Sequence, residues 1–292
     1  MKETIKHIKF ENKTNPKSYF EIIQIEELLN RKLNHDIYEN HVINFYTIFF
    51  IVDGEGYHTI DFIDYKYQKG TVLLVRKDQI QSFFRSTSVK GYLLIFTEEF
   101  MISHLNELES LKSLQLFNEL LSFPKIELKV AEKEFSNFAT MIRQIEWEFT
   151  FRDEYSIGIT RSALHMIITK LLRIKSKNGQ LSSKKKYLAE FLSFQDMVEK
   201  NCFTSKKVMD YAKKMGFSTK TLNNIVKTIV NKSAKIFIDE IAIIQIKRLL
   251  ISSNQPIKEI AYTVGFDDPS NFFRYFKKYV GSSPEVFRQA YQ

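Results

Sequence analysis

The chain has 292 residues, enough for two domains of ordinary size, and 44% hydrophobic with 14% aromatic residues supplies a core for each. A single cysteine, Cys202, excludes an intramolecular disulfide and any cysteine-rich zinc site, and no apolar run approaches the length of a membrane span. The net charge of +9 is unevenly placed: residues 1–180 hold 24 Lys and Arg against 24 Asp and Glu, whereas residues 181–292 hold 19 against 10, the footprint of a segment that meets phosphate.

Met1 to Lys17 is dominated by charged and polar residues and does not read as a secretory signal, so a cytoplasmic location is expected. Strand signals begin at Asn44. Asn44 to Val52 is an aromatic and β-branched run, Asp53-Gly54-Glu55-Gly56 is a turn signal, and Tyr57 to Phe62 alternates in part before a second turn near Asp64. Thr71 to Val75 and Gly91 to Phe96 predict a further pair of strands. Short strands without helical periodicity predict a small antiparallel barrel or sandwich. The stretches VDGEGYHTIDF and YQKGTVLLVRKDQIQSFF resemble a cupin-like sensor barrel. Cupin enzymes hold a metal through a His-x-His pair and a later histidine. Here His58 stands alone, and Arg76, Asp78 and Gln81 occupy the second motif, so neither metal nor cofactor is expected. His35 and His41 have no metal-ligand spacing. A mostly apolar barrel interior is where a small effector would sit.

Helical periodicity takes over after residue 100. Phe135, Phe138, Ile142, Ile145 and Phe149 form an a/d stripe, with Glu132, Glu134, Arg143, Glu146 and Glu148 around it. A second amphipathic helix, carrying Leu164, Ile167, Ile168, Leu171 and Leu172, follows Asp153-Glu154. Such a stripe suits a dimer seam and, being two heptads long, suits packing against the barrel equally well. Ser176 to Lys186, with Asn178-Gly179 and the Lys184-Lys185-Lys186 run, reads as a linker whose lysines suit phosphate.

The last third contains a tandem repeat. Val208, Tyr211, Ala212, Met215, Gly216 and Phe217 recur 49 residues later as Ile257, Ile260, Ala261, Val264, Gly265 and Phe266. Beyond the turn the offset is 50, and Leu222, Val226 and Lys227 match Phe272, Phe276 and Lys277. Each unit reads as a short helix, a turn with a glycine suited to positive φ, and a second helix opened by a cap. The caps are Ser218 in the first unit, and Asp267 or Asp268 with Pro269 in the second. That is a helix-turn-helix, which offers its second helix to a DNA groove. Between the units, Ala234 to Ser252 is apolar on all sides and predicts a buried connector of roughly 28 Å, near the ~34 Å between successive major-groove faces. Gly281 suits a helix stop, and Ser283-Pro284 restarts a final short helix. Cys202, beside Phe203, reads as a small buried residue and not as the activated nucleophile that an alkyl-transfer enzyme fused to such a module requires.

Ile257 to Arg288, reading IKEIAYTVGFDDPSNFFRYFKKYVGSSPEVFR, resembles the signature of the AraC/XylS family of bacterial transcription regulators, and the resemblance extends over about residues 185 to 292. It implies a sequence-specific DNA-binding regulator and not an enzyme. The implied architecture is multidomain: a mainly-β, cupin-like sensing barrel (1–100), a helical dimerisation segment (101–180) and an all-α domain with two helix-turn-helix motifs (181–292). It sets Lys220, Asn223 and Asn224 at base edges in one groove and Ser270, Asn271, Phe273 and Arg274 in the next. Phe273 departs from the small or polar residue common there and suits a thymine methyl. Ser205, Lys227 and Lys277 are assigned to phosphate. The implied partners are double-stranded operator DNA, a second copy of the chain through the Phe135 to Phe149 stripe, a small-molecule effector in the barrel, and RNA polymerase. Control by a protein partner without a ligand remains open.

Overall fold

The computed structural model describes residues 5–12, 19–31, 36–83, 89–118, 123–131, 133–178 and 186–291; His35, Glu132 and residues 179–185 of the predicted linker lie outside them. The chain forms two compact units: the first spans Lys6–Leu181, and Ser182–Gln292 belongs to the second.

Among the described residues the first unit holds two five-stranded sheets. One runs, in spatial order, through β1 (Lys6–Ile8), β3 (His41–Ile43), β8 (Ile80–Phe83), β5 (Gly56–Ile60) and β6 (Ile63–Tyr67). The other runs through β10 (Lys125–Glu127), β7 (Thr71–Val75), β4 (Tyr46–Asp53), β9 (Lys90–Phe96) and β2 (Phe20–Gln24). Apart from the parallel β1–β3 pair the ladders are antiparallel. The second sheet is buried on both faces, which is why β4 and β7 read as continuous apolar runs and not as alternations. Tyr46, Ile48, Phe50, Val72, Leu74, Leu94 and Phe96 point to one core, while Phe49, Ile51, Leu73, Val75, Leu93 and Ile95 point into the barrel. In β6, by contrast, Tyr65 and Tyr67 are buried and Asp64 and Lys66 exposed, the pattern of a sheet with one wet face.

The hairpin between β5 and β6 turns at Asp61-Phe62, not near Asp64, which lies inside β6 opposite Thr59. Both turn residues are left-handed, at φ 46° and 69°, as a two-residue hairpin of the primed kind requires. Without a glycine the turn has no sequence signal. The Asp61 carboxylate holds it by accepting from the Ile80 amide (3.2 Å) and the Gln79 side chain (2.8 Å).

Among its described residues this unit also holds the helices α1 (Ile25–Asn30), α2 (Glu98–Ile102), α3 (Glu107–Leu116), α4 (Lys133–Phe151) and α5 (Ser156–Lys177). α4 and α5 cover the outer face of the second sheet. Phe138, Ile142 and Ile145 are at most 2% exposed and share one core with β2, β4, β7 and β9. Phe135 stacks on Phe50 at 5.4 Å, and Phe149 meets Phe20 edge-on at 6.2 Å. The predicted dimer stripe is therefore an internal seam, because the nearest apolar surface that covers it is the chain's own sheet. A boundary at residue 100 separates nothing either, since β10 pairs with β7 and the helices complete the same core. On the outer side of α4, Trp147 and Phe151 are 55% and 59% exposed and stack on each other at 4.8 Å.

The second unit consists of α6 (Leu188–Asn201), α7 (Val208–Lys214), α8 (Thr219–Val230), α9 (Ala234–Ser252), α10 (Ile257–Thr263), α11 (Pro269–Val280) and α12 (Pro284–Tyr291). α9 is buried on several sides through Phe237, Ile238, Ile241, Ala242, Ile246 and Leu250. Phe191 and Phe194 of α6 pack on Phe237 at 4.9 and 5.7 Å, and Phe276 of α11 packs on Phe287 of α12 at 5.6 Å.

Candidate nucleic-acid interface and effector cavity

The two halves of the repeat fold alike down to individual hydrogen bonds. After α7 the Phe217 amide donates to the Ala212 carbonyl (2.9 Å) and the Gly216 amide to Lys213 (3.2 Å). After α10 the Phe266 amide donates to Ala261 (3.0 Å) and the Gly265 amide to Tyr262 (3.0 Å). This double closure needs a left-handed residue just past the helix, and Gly216 and Gly265 supply it at φ 71° and 82°. The Ser218 hydroxyl then caps α8 by accepting from Thr221, and the Asp268 carboxylate caps α11 by accepting from Ser270. Asp268 is the equivalent of Ser218, so the inserted residue is Asp267.

Each second helix buries one face and exposes a polar stripe. On α8, Leu222, Ile225, Val226 and Ile229 are buried, while Lys220, Asn224 and Lys227 are exposed at successive turns. On α11, Phe272 and Phe276 are buried, while Ser270, Asn271, Arg274, Lys277 and Lys278 are exposed. The Arg274 guanidinium donates to the Asn271 amide oxygen at 2.5 Å, which holds both side chains on one ridge. Phe273 is half-buried, edge-on to Phe272 at 5.9 Å.

Two predicted contacts are turned inward. The Asn223 side chain donates to the Thr219 carbonyl (2.9 Å) and accepts from the Ala234 amide (3.0 Å), closing the first turn of α9. The Ser205 hydroxyl donates to Asp210 (2.5 Å) and accepts from the Lys207 amide (3.1 Å), organising the start of α7. The Ser205 proton and the Asn223 amide oxygen are thus engaged within the fold.

Sequence reasoning missed Lys206. Its ammonium donates to the Val264 carbonyl (2.7 Å) and lies 4.6 Å from the Phe266 ring centre, tying the first helix-turn-helix to the turn of the second. Burial lowers its pKa. The neighbouring Cys202 is buried and burial pushes its thiol up to about 11, so it is protonated at neutral pH and is not an activated nucleophile.

The first unit contains a cavity of about 400 Å³ between the sheets. Ile23, Ile43, Phe49, Phe83, Leu93 and Ile95 form much of its wall, and His41, Thr47 and Gln81 are polar groups on it. The Thr47 hydroxyl is buried without a hydrogen-bond partner, and the His41 Nδ1 lies 3.0 Å from the Glu39 carbonyl. Near the mouth Glu21 sits 3.5 Å from Arg31; burial raises its pKa and Arg31 opposes the rise. His58, the lone cupin-position histidine, is packed on Phe49 and Phe83 at 4.5 and 4.7 Å, and its Nε2 lies 3.0 Å from the Gln81 amide oxygen. Burial lowers its pKa to about 3, which keeps the ring neutral.

Residues 24–146 match the model of an AraC-like ligand binding domain, and residues 211–290 match a helix-turn-helix domain. The chain belongs to the AraC family of transcription regulators. It is 28% identical over 250 residues to the Msm operon regulatory protein of Streptococcus mutans, covering 85% of each chain. It is 23% identical over 255 residues to the HTH-type transcriptional regulator YfiF of Bacillus subtilis, covering 86% of this chain and 79% of that one. Among solved structures, ToxT of Vibrio cholerae aligns over 94% of this chain and 98% of its own at 13% identity, with a TM-score of 0.43. As an AraC-family regulator the chain is a DNA-binding protein with a ligand-binding type of N-terminal domain. Among its described residues no helix is long and apolar enough to cross a membrane.

Proposed function

We propose that this regulator reads two adjacent major grooves, using α8 in one and α11 in the other. Lys220 and Asn224 meet base edges in the first; Ser270, Asn271 and Arg274 do so in the second, where Phe273 lies against a thymine methyl. Asn pairs with adenine and Arg with guanine through two hydrogen bonds each. Lys227 and Lys277 bind phosphate, which sets register without reading sequence. The observation that carries this reading is the repeated cap-and-turn geometry, which leaves an unburied polar stripe on the second helix of both units.

The protein acts in the cytoplasm as a homodimer, at promoters where it works with RNA polymerase, and has no catalysis of its own. A small molecule in the barrel cavity controls it. The cavity favours that over control by a protein partner: its volume is that of a ligand site, its wall combines apolar side chains such as Phe49 and Leu93 with polar and charged ones, and the unpartnered Thr47 hydroxyl offers orientation. Since the Phe135 to Phe149 stripe is internal, the outward Trp147-Phe151 stack is the better seat for the dimer contact.

Selection of bound duplexes from random DNA tests the DNA reading. Arg274→Ala is expected to cost about 1–3 kcal/mol at the selected site and relax preference at one base pair, whereas Lys277→Ala weakens all duplexes about equally. An unchanged base preference for Arg274→Ala would assign readout to another face.

A further inference from the structure

Asp239, in the second turn of α9, is 3% exposed and is surrounded by donors. Its carboxylate accepts from the phenols of Tyr275 (3.0 Å) and Tyr279 (2.7 Å), one turn apart on α11, and from the Lys235 ammonium (2.6 Å) on its own helix. The two phenol rings lie 5.0 Å apart, and Tyr275 also packs on Phe266, in the turn that leads into α11, at 5.3 Å. Burial and the Asp239 charge push both phenols above their ordinary range, Tyr279 to about 12, so both remain donors at any working pH. A buried carboxylate held by two phenols and a lysine is an anchor of fixed direction, since each donor lost weakens the pairing of a charge that water does not reach.

The other reading helix is attached nearby. Asn223 of α8 accepts from Ala234, the first residue of α9 and five positions before Asp239. Both second helices are thus fastened to the first turns of α9, one by an amide and one by the carboxylate. The length of α9 does not by itself set their separation. That separation is set by where α11 is held against α9.

We propose that Asp239, through Tyr275 and Tyr279, is the positioning residue that fixes the second reading helix relative to the first, and so determines the number of base pairs this regulator requires between its two DNA boxes. This rests on both helices reading DNA, as proposed above. None of the three side chains needs to touch the duplex.

The test uses the full chain and duplexes made from the site selected out of random DNA, in a series whose two boxes are moved apart one base pair at a time, together with a duplex keeping only one box. The native protein should prefer one spacer. In Tyr275→Phe/Tyr279→Phe, which keeps the rings and removes both hydrogen bonds, that preference should fall by about tenfold, the scale of a lost hydrogen bond to a charged group, while affinity for the one-box duplex stays the same. If the double variant is too unstable to assay, Tyr279→Phe, at the more exposed end, gives the same readout in smaller measure. An unchanged spacer profile overturns the proposal, as does an equal loss on one-box and two-box duplexes, which would mark the cluster as only structural. A native protein indifferent to spacing would instead remove the two-groove reading, and this proposal with it.

Discussion

Asn223 and Asn224 are neighbours of the same chemistry on one helix, yet the fold separates their roles. Asn223→Ala should lower stability by about 1 kcal/mol, because it frees the Ala234 amide and the Thr219 carbonyl, and should leave base preference intact. Asn224→Ala should leave the melting temperature unchanged and relax base preference; denaturant unfolding and site selection on the two variants check the contrast. His58 gives a second prediction. Its pKa is about 3 in the fold, below the ordinary histidine range, so only the unfolded chain takes up a proton as pH falls through about 6.5. Stability of the first unit should decline on the acid side of that value by about 1.4 kcal/mol per pH unit until the folded group also titrates near pH 3. Replacement by glutamine should remove that slope from the variant, so that the difference between native and variant stability changes with pH over this range, whereas parallel curves would mean that His58 is solvated in the fold.

At the scale of the element, the two turn glycines look equivalent in sequence and are not. Gly216 needs its left-handed conformation but has open space where a Cβ would stand; a Cβ on Gly265 would lie 2.1 Å from the Phe203 carbonyl oxygen. Gly216→Ala should cost about 1–2 kcal/mol from backbone strain alone, and Gly265→Ala distinctly more, with the second unit melting earlier. Much of this level was legible in the residues: β7 and α9 have the bounds their patterns predicted, and both caps and both glycine turns are where the repeat put them. What escaped was decided at a distance. The strands β1, β3 and β10 are three residues each, too short for a period to show, and exist because a partner strand pairs with them. The stripe on α4 states that one face is buried and cannot state against what, which is how an internal seam reads as a dimer seam. Asn223 looked free because its acceptor role is set by Ala234, beyond the end of its own helix, and Ser205 because Asp210 takes its hydroxyl only once α7 has formed.

For the whole molecule, the chain's charge and its division into units coincide. A fragment from Ser182 to Gln292 carries both repeats and the whole excess of positive charge, and should fold as a helical domain that binds duplex DNA with an affinity falling about one log unit per log unit of salt for each phosphate contact. Circular dichroism and a salt titration of binding check this, and a folded fragment with no salt-sensitive affinity would remove the DNA reading. The doubly buried sheet of the other unit bears on how such a regulator can change over generations. Thr47, Phe49, Leu93 and Ile95 line the cavity, while Ile48, Phe50 and Leu94, alternating with them on the same strands, support α4 and α5. Effector preference and the integrity of the helical layer are thus inherited through one wall. A lineage selected for a new ligand cannot retune the cavity without also testing the layer behind it, so acquired specificities should arrive with compensating substitutions in α4 and α5.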